Sequence, residues 1–182
     1  MSPKYARHLV LETGTHRFGP HNATLAVHTK RGGAAAKAGH DLVLHVTAWE
    51  ATLELGEEPR LELDADSRSL RVQKGTGGVQ PLGEDDKANI HQTIDDEVLE
   101  GKDIAFRSTG LEQAGDRLAV EGELTLVGKT HPIAFDVELG EGTVHASAVV
   151  KQTLWGMKPY SALFGALKVL DEVEVVLDAQ SR

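Results

Sequence analysis

The sequence predicts an all-β fold: an antiparallel up-and-down β-barrel of about eight strands, with one amphipathic helix around residues 85–99 and a short helical turn. Three observations predict it. Apolar and polar residues alternate with period two in run after run, turn-forming stretches join those runs, and a single segment switches to a helical period. At 182 residues the chain reads as one domain, 1–182. A core of that size needs neither disulfides nor a structural metal.

Leu42, Leu44 and Val46 share one face of the first clear run, with Asp41 and His45 on the other. Leu61, Leu63 and Ala65 alternate with Glu62 and Asp64. Leu118, Val120, Gly122, Leu124 and Leu126 alternate with Ala119, Glu121, Glu123 and Thr125. Ile133, Phe135, Val137 and Leu139, and then Val173, Val175 and Leu177, repeat the pattern. A pleated strand sends successive side chains to opposite faces, so each run is a strand with one face buried and one in water. The connections Gly56 to Pro59, Asp66 to Ser69, Gly110 to Asp116, Gly128 to Pro132 and Gly140 to Gly142 carry turn chemistry, and two of them join consecutive alternating runs over a few residues as a hairpin meander. Barrel closure would remove the edge strands and leave room for side chains or a small ligand.

One segment departs from this. From Glu84 to Glu100, Ile90, Ile94 and Val98 recur every four residues, Asp85 or Asp86 is available as N-cap, and Gly101 lies just beyond. That is an amphipathic helix, preceded by a glycine-rich loop over Gly75 to Gly83. The Ala/Gly-rich stretch Gly32 to Gly39 is a helical turn or a loop between the first two strands. Lys158 to Phe164, with Pro159, is a turn or short helix before the last strand.

Composition removes several classes of function. There are no cysteines, which excludes disulfides, thiolate metal sites, iron–sulfur clusters and a thiol nucleophile. Lys plus Arg number 19 against 28 Asp plus Glu, a net charge of −9. Such an acidic surface repels phosphate backbones and anionic lipid headgroups, so nucleic acid is not an expected partner. The opening residues, Met1 to His8, lack the apolar stretch of a signal peptide, and no run of apolar residues is long enough to span a bilayer. The expected compartment is the cytoplasm, without stable membrane insertion.

No motif demands catalysis or a cofactor. Gly122 to Thr130 imitates a phosphate loop, but five residues separate Gly122 from Gly128 where four are required, the intervening residues alternate as a strand, and Pro132 would break the helix that must follow. Gly75, Gly77 and Gly78 resemble a dinucleotide loop in composition only, since Gln80 stands where the third glycine belongs. Nine histidines raise a metal-binding or enzymatic alternative at a barrel mouth, yet His16 with His21 and His40 with His45 are five apart, an odd spacing that sends strand residues to opposite faces. No metal set assembles locally. Ser147 and Ser161 lie in no nucleophile elbow. His40 and Asp41 form a hydrogen-bonding unit at a strand start or turn.

The segment Gln152 to Leu167 is the most informative, gathering Trp155, Met157, Tyr160, Leu163 and Phe164 in a chain with only 4% aromatic residues. It reads either as a plug that completes a solid core or as an apolar cavity wall.

The order of these motifs resembles the YceI-like family. The resemblance is carried by Ala38-Gly39-His40-Asp41-Leu42 leading to Trp49 and Leu53; by Ser69 to Val72; and by Ile104 to Thr109. Most specific is the block from Val120 to Pro132, followed by Gly156 to Val169 and ending at Asp171. It spans Val10 to Leu177. The resemblance implies a lipocalin-like barrel holding an isoprenoid-type lipid, here in a cytosolic branch. The expected role is therefore a non-catalytic carrier of a long apolar molecule such as an isoprenoid quinone. The rival readings are a histidine-based metal protein or enzyme and a solid-cored stress or interaction module. The candidate wall residues are Val27, Leu44, Val46, Phe106, Leu124, Leu126, Phe135, Trp155, Met157, Tyr160, Leu163 and Phe164. His40, Lys151 and Gln152 are candidates for the polar head, and a homodimer is left open.

Overall fold

A computed structural model describes residues 11–180. The opening residues read above for a leader, and Val10 where the resemblance begins, lie outside the described residues.

The chain runs through β1 (Gly14–Phe18), β2 (Ala23–Thr29), β3 (Arg31–Gly32), β4 (His40–Val46), β5 (Trp49–Leu55), β6 (Arg60–Ala65) and β7 (Leu70–Gly77). The helix α1 (Glu84–Thr93) follows. Then come β8 (Ile104–Ala114), β9 (Arg117–Leu126), β10 (Lys129–Gly140), β11 (Thr143–Lys151), β12 (Ser161–Ala162), β13 (Leu167–Val169) and β14 (Glu172–Gln180). Eleven strands form one antiparallel sheet in the order β1-β5-β6-β8-β9-β10-β11-β14-β2-β4-β7, and β12-β13-β3 form a small second sheet. The large sheet curls into a lipocalin-like half-barrel. The strands outnumber the eight expected, and the ladder ends at β1 and β7 instead of closing through a strand pair.

Alternation of sequence is alternation of burial. On β9, Leu118, Val120, Gly122, Leu124 and Leu126 are buried while Arg117, Ala119, Glu121 and Glu123 face water. β5 does the same with Trp49, Ala51, Leu53 and Leu55. The β9–β10 hairpin turns on two residues, since Leu126 pairs with Lys129. Val127 and Gly128 there have φ of 52° and 73°, the left-handed pair that matches strand twist.

At one end the interior is solid. Phe106 and Phe135 pack with ring centroids 5.4 Å apart, and Leu118, Val120, Val137, Leu139 and Val144 are all buried nearby in sequence register. Gly122 makes this possible. A Cβ there would meet the Phe106 ring at 2.4 Å and the Arg107 carbonyl oxygen at 2.5 Å.

The helix begins at Gly83 and not at an aspartate cap: Asp86 Oδ2 accepts the Gly83 N–H at 2.9 Å. Glu84, Asp85 and Asp86 fill the first turn, where the helix dipole favours negative charge. The α-helix stops at Thr93 and widens into a π-helical turn over Ile94–Val98. Glu100 and Gly101, with φ of 53° and 62°, end it. The Gly32 to Gly39 stretch contains a 3-10 turn at Ala36–Ala38, and Lys158 to Phe164 yields β12 and the start of a second such turn, Leu163–Gly165.

Substituting Gly122→Ala is expected to destabilise the protein by about 1–3 kcal/mol, because Phe106 or the β8 backbone must move. Urea unfolding measures it; an unchanged midpoint would show that the ring is not confined by this glycine.

Candidate functional site

Strand periodicity also places the open part of the interior. Leu25, Val27 and Thr29 of β2, Leu42, Leu44 and Val46 of β4, and Val173 and Val175 of β14 point to one side and line a cavity of about 850 Å³. That lies within the range of small-molecule sites, about 300–1,000 Å³. Leu124 and Leu126 of β9, Val150 and Met157 continue the wall. α1 and its π-helical turn contribute Ile90, Ile94 and Val98, the residues spaced by four, as the facing side. The helix has no buried residue of its own; its apolar stripe is spent on the cavity.

α1 is tied to the sheet by one polar contact. Val72 of the terminal strand β7 donates its N–H to His91 Nε2 at 3.0 Å. Accepting that proton requires a neutral imidazole. Burial, followed by the neighbouring Arg71 cation, lowers the His91 pKa from its ordinary value. The bond falls beside a bulge at which Leu44 pairs with Val72 and Val43 with Lys74, leaving Gln73 as the extra residue.

The polar residues of the lining are Thr29, Arg31, His40, Gln80, Asp86, Asn89, Thr93, Gln152, Tyr160 and Lys168, of which Thr29 and Gln152 are buried. The Arg31 side chain donates from Nη1 to the Gly39 carbonyl at 2.8 Å and to the Thr76 carbonyl at 3.3 Å. Its backbone N–H donates to Asp41 Oδ1 at 2.9 Å. His40 donates from Nε2 to the Gln80 carbonyl at 2.8 Å. Gly77 and Gly78, with φ of 84° and 74°, let both side chains cross, since a Cβ at either position would overlap the Arg31 guanidinium or the His40 ring. Thr29 Oγ1 is buried and unpartnered, and Thr29 lines the cavity.

Of the residues named from sequence, Val27, Leu44, Val46, Leu124, Leu126, Met157, Tyr160, His40 and Gln152 line the cavity. The others do not. Phe106 and Phe135 pack on each other. Trp155 is buried behind the wall, its Nε1–H donating to the Leu124 carbonyl at 2.8 Å and its ring edge-on to His131. Lys151 is exposed on β11 opposite Glu172. Leu163 and Phe164 project into solvent. Aromatic content pointed to most of these positions, but the rings of Phe106, Phe135 and Trp155 fill space where the interior is closed, and that of Phe164 faces water. The helix residues Ile90, Ile94 and Val98, and Val173 and Val175, carried a legible periodic signal as core without any sign of which void they face. Among the described residues, no three His, Asp or Glu side chains gather as a metal-holding group. His40 and Asp41 serve the strand start.

The chain belongs to the YceI-like family: the YceI-like domain model matches residues 7–181. Among solved structures, Burkholderia cenocepacia BcnA aligns with a TM-score of 0.63 at 15% identity, covering 88% of this chain and 96% of that one. The Campylobacter jejuni YCEI protein aligns with a TM-score of 0.51 at 16% identity, covering 76% and 84%. A mutant of the latter with a monobromobimane guest gives 0.53 at 14% identity, covering 76% and 84%. These likenesses define the fold. No curated protein matches the chain. Among the described residues no helix is long and apolar enough to cross a membrane.

Because its folded pKa is depressed, His91 contributes stability that is present above the ordinary imidazole pKa of about 6.5. That stability is lost as pH falls through the folded value. The protection of the Val72 and α1 amides, measured against their intrinsic exchange rates at each pH, is therefore expected to fall on acidification. His91→Ala should be loosened at neutral pH and lack the acid step; an identical acid step in the variant would show that another group governs helix docking.

Proposed function

We propose that the protein is a non-catalytic carrier that holds a long apolar molecule, an isoprenoid quinone or related lipid, in the half-barrel cavity. The observation that carries this reading is the lining: aliphatic side chains from β2, β4, β9, β14 and α1 predominate in the wall of a space of about 850 Å³, with a minority of polar groups among them. Membership of the YceI-like family supports it, since that family is associated with isoprenoid lipids. Each buried CH₂ of a guest contributes about 0.8 kcal/mol, so affinity accumulates along a chain without any polar contact in the interior. Thr29, His40, Gln152 and Tyr160 are lining groups able to hydrogen-bond a polar head. Tight bonding of Arg31 and His40 to backbone carbonyls keeps that part of the lining in one shape, which lowers the ordering cost of binding.

Native mass spectrometry before and after solvent extraction, followed by addition of an isoprenoid quinone, tests the reading. One quinone per chain is the expected result, and an extracted protein that takes up none overturns it. Val175→Trp fills the cavity from β14 and should cut uptake by about tenfold or more, the loss of a few buried methylenes. Glu123→Ala, on the water face of β9, should leave uptake unchanged. Equal effects of the two would move the guest elsewhere.

A further inference from the structure

The two most exposed apolar side chains of the hairpin between β12 and β13 stand at its tip. Leu163 is 62% exposed and Phe164 113%. Their backbone is unusual: consecutive non-glycine residues with φ of 51° and 55°, a left-handed conformation that L side chains adopt at a steric cost. The chain accepts strain and holds a leucine and a phenylalanine away from the core. Strained, outward-held groups mark places where a structure serves something other than its own packing.

The tip adjoins the cavity mouth. From the same hairpin, Tyr160, Leu167, Lys168 and Val169 line the cavity, and Lys168 and Val169 pair with Gly32 and Arg31 of β3. Val79, 80% exposed, and Tyr160, 45% exposed, complete an apolar lip.

Charge is distributed against the net value. The chain carries −9, yet residues 13–40 and 142–170 contain no Asp or Glu, while holding Arg17, Lys30, Arg31, Lys37, Lys151, Lys158 and Lys168. Lys37, Lys158 and Lys168 are exposed and make no ion pair among the described residues. Of the carboxylates that border this end, Asp41 meets a cation, Lys30 at 3.8 Å, while Asp86 and Asp171 accept from the neutral Gly83 N–H and Thr153 and keep their charge. Averaged over the molecule the acidic surface repels anionic lipid; beside the tip itself Lys37, Lys158 and Lys168 are positive charges without an ion pair among the described residues.

We infer that the Leu163–Phe164 tip docks reversibly on an anionic bilayer surface. The two apolar side chains enter the headgroup–acyl boundary, Lys158, Lys168 and Lys37 lie against lipid phosphates, and the cavity mouth faces the lipid. The inference rests on the carrier reading for its purpose, because a guest leaving a bilayer then reaches the cavity without crossing water. An apolar tip with flanking cations is the combination that interfacial binding requires, and neither part alone suffices for stable attachment.

Flotation of the full chain with vesicles of equimolar phosphatidylglycerol and phosphatidylcholine, against phosphatidylcholine alone, tests it. Partition is expected to be about tenfold or more in favour of the anionic vesicles and to fall in high salt. Phe164→Ser should lose about tenfold, and Lys158→Gln with Lys168→Gln about fivefold each, with circular dichroism unchanged. Wild type and Phe164→Ser partitioning alike, or no flotation of the wild type, overturns the docking. A concentration-dependent dimer in light scattering that Phe164→Ser abolishes, without flotation, assigns the tip to a second copy and also overturns it. Quinone uptake from detergent is measured in parallel and is expected to be equal in wild type and Phe164→Ser. Uptake without flotation defeats the docking and leaves the carrier reading standing; flotation without uptake defeats the carrier reading and the purpose assigned to the tip.

Discussion

A sheet that curls without closing has an unpaired edge strand and an interior its own side chains do not fill, and in this protein one helix meets both conditions. β7 ends the ladder, and an exposed edge is an invitation to pair with another chain. His91 takes up a β7 backbone N–H, while Ile90, Ile94 and Val98 of the same helical segment face the open interior. Were α1 to detach, a strand edge and a wall of aliphatic side chains would be exposed together. The imidazole is thus the polar pin of a contact whose remaining surface is apolar and faces a space rather than a packed core.

The interior divides according to side-chain size. Phe106 over Gly122, with Phe135 beside it, closes one region by filling it. Elsewhere the inward positions are Val, Leu and Ile, too short to meet across the curled sheet, and the cavity remains. Trp155 follows the same rule: its bulk lies behind the wall, where its N–H satisfies the Leu124 carbonyl, a buried group that would otherwise be costly to leave unpaired. Around Arg31 and His40 the lining is built in the opposite manner, from side chains clamped to backbone carbonyls across glycines that leave them room.

Much of this was legible in the residues themselves. Period-two runs such as Leu118 to Leu126 and Ile133 to Leu139 became β9 and β10 with the faces expected, because burial on a strand follows local periodicity. The stretch Trp49 to Leu55 carried the same alternation as β5. The helix was legible too, though not its cap at Gly83, made by Asp86 three residues on, nor its passage into a π-helical turn at Ile94, closed by the buried Leu99 donating its N–H to the Ile94 carbonyl. The wall was half legible. Val27, Leu44, Val46, Leu124 and Leu126 belong to it by alternation alone, whereas Phe106, Phe135, Trp155, Leu163 and Phe164 drew attention by composition, and composition does not say whether a ring fills space or faces water.

Read alone, the chain determined its class: antiparallel strands with one buried face, one amphipathic helix, no thiol chemistry, and the YceI-like signature from Val120 to Pro132. Those properties are local, set by side-chain alternation and turn residues within a few positions. Tertiary structure decided that the ladder stays open, that the helix roofs it, and that the turn carrying Lys37 meets the hairpin of Leu163 and Phe164, through the Ala35 N–H to the Ala166 carbonyl. Each of these depends on how far apart inward side chains stand across the sheet and on which loops share an end, distances that no stretch of sequence contains.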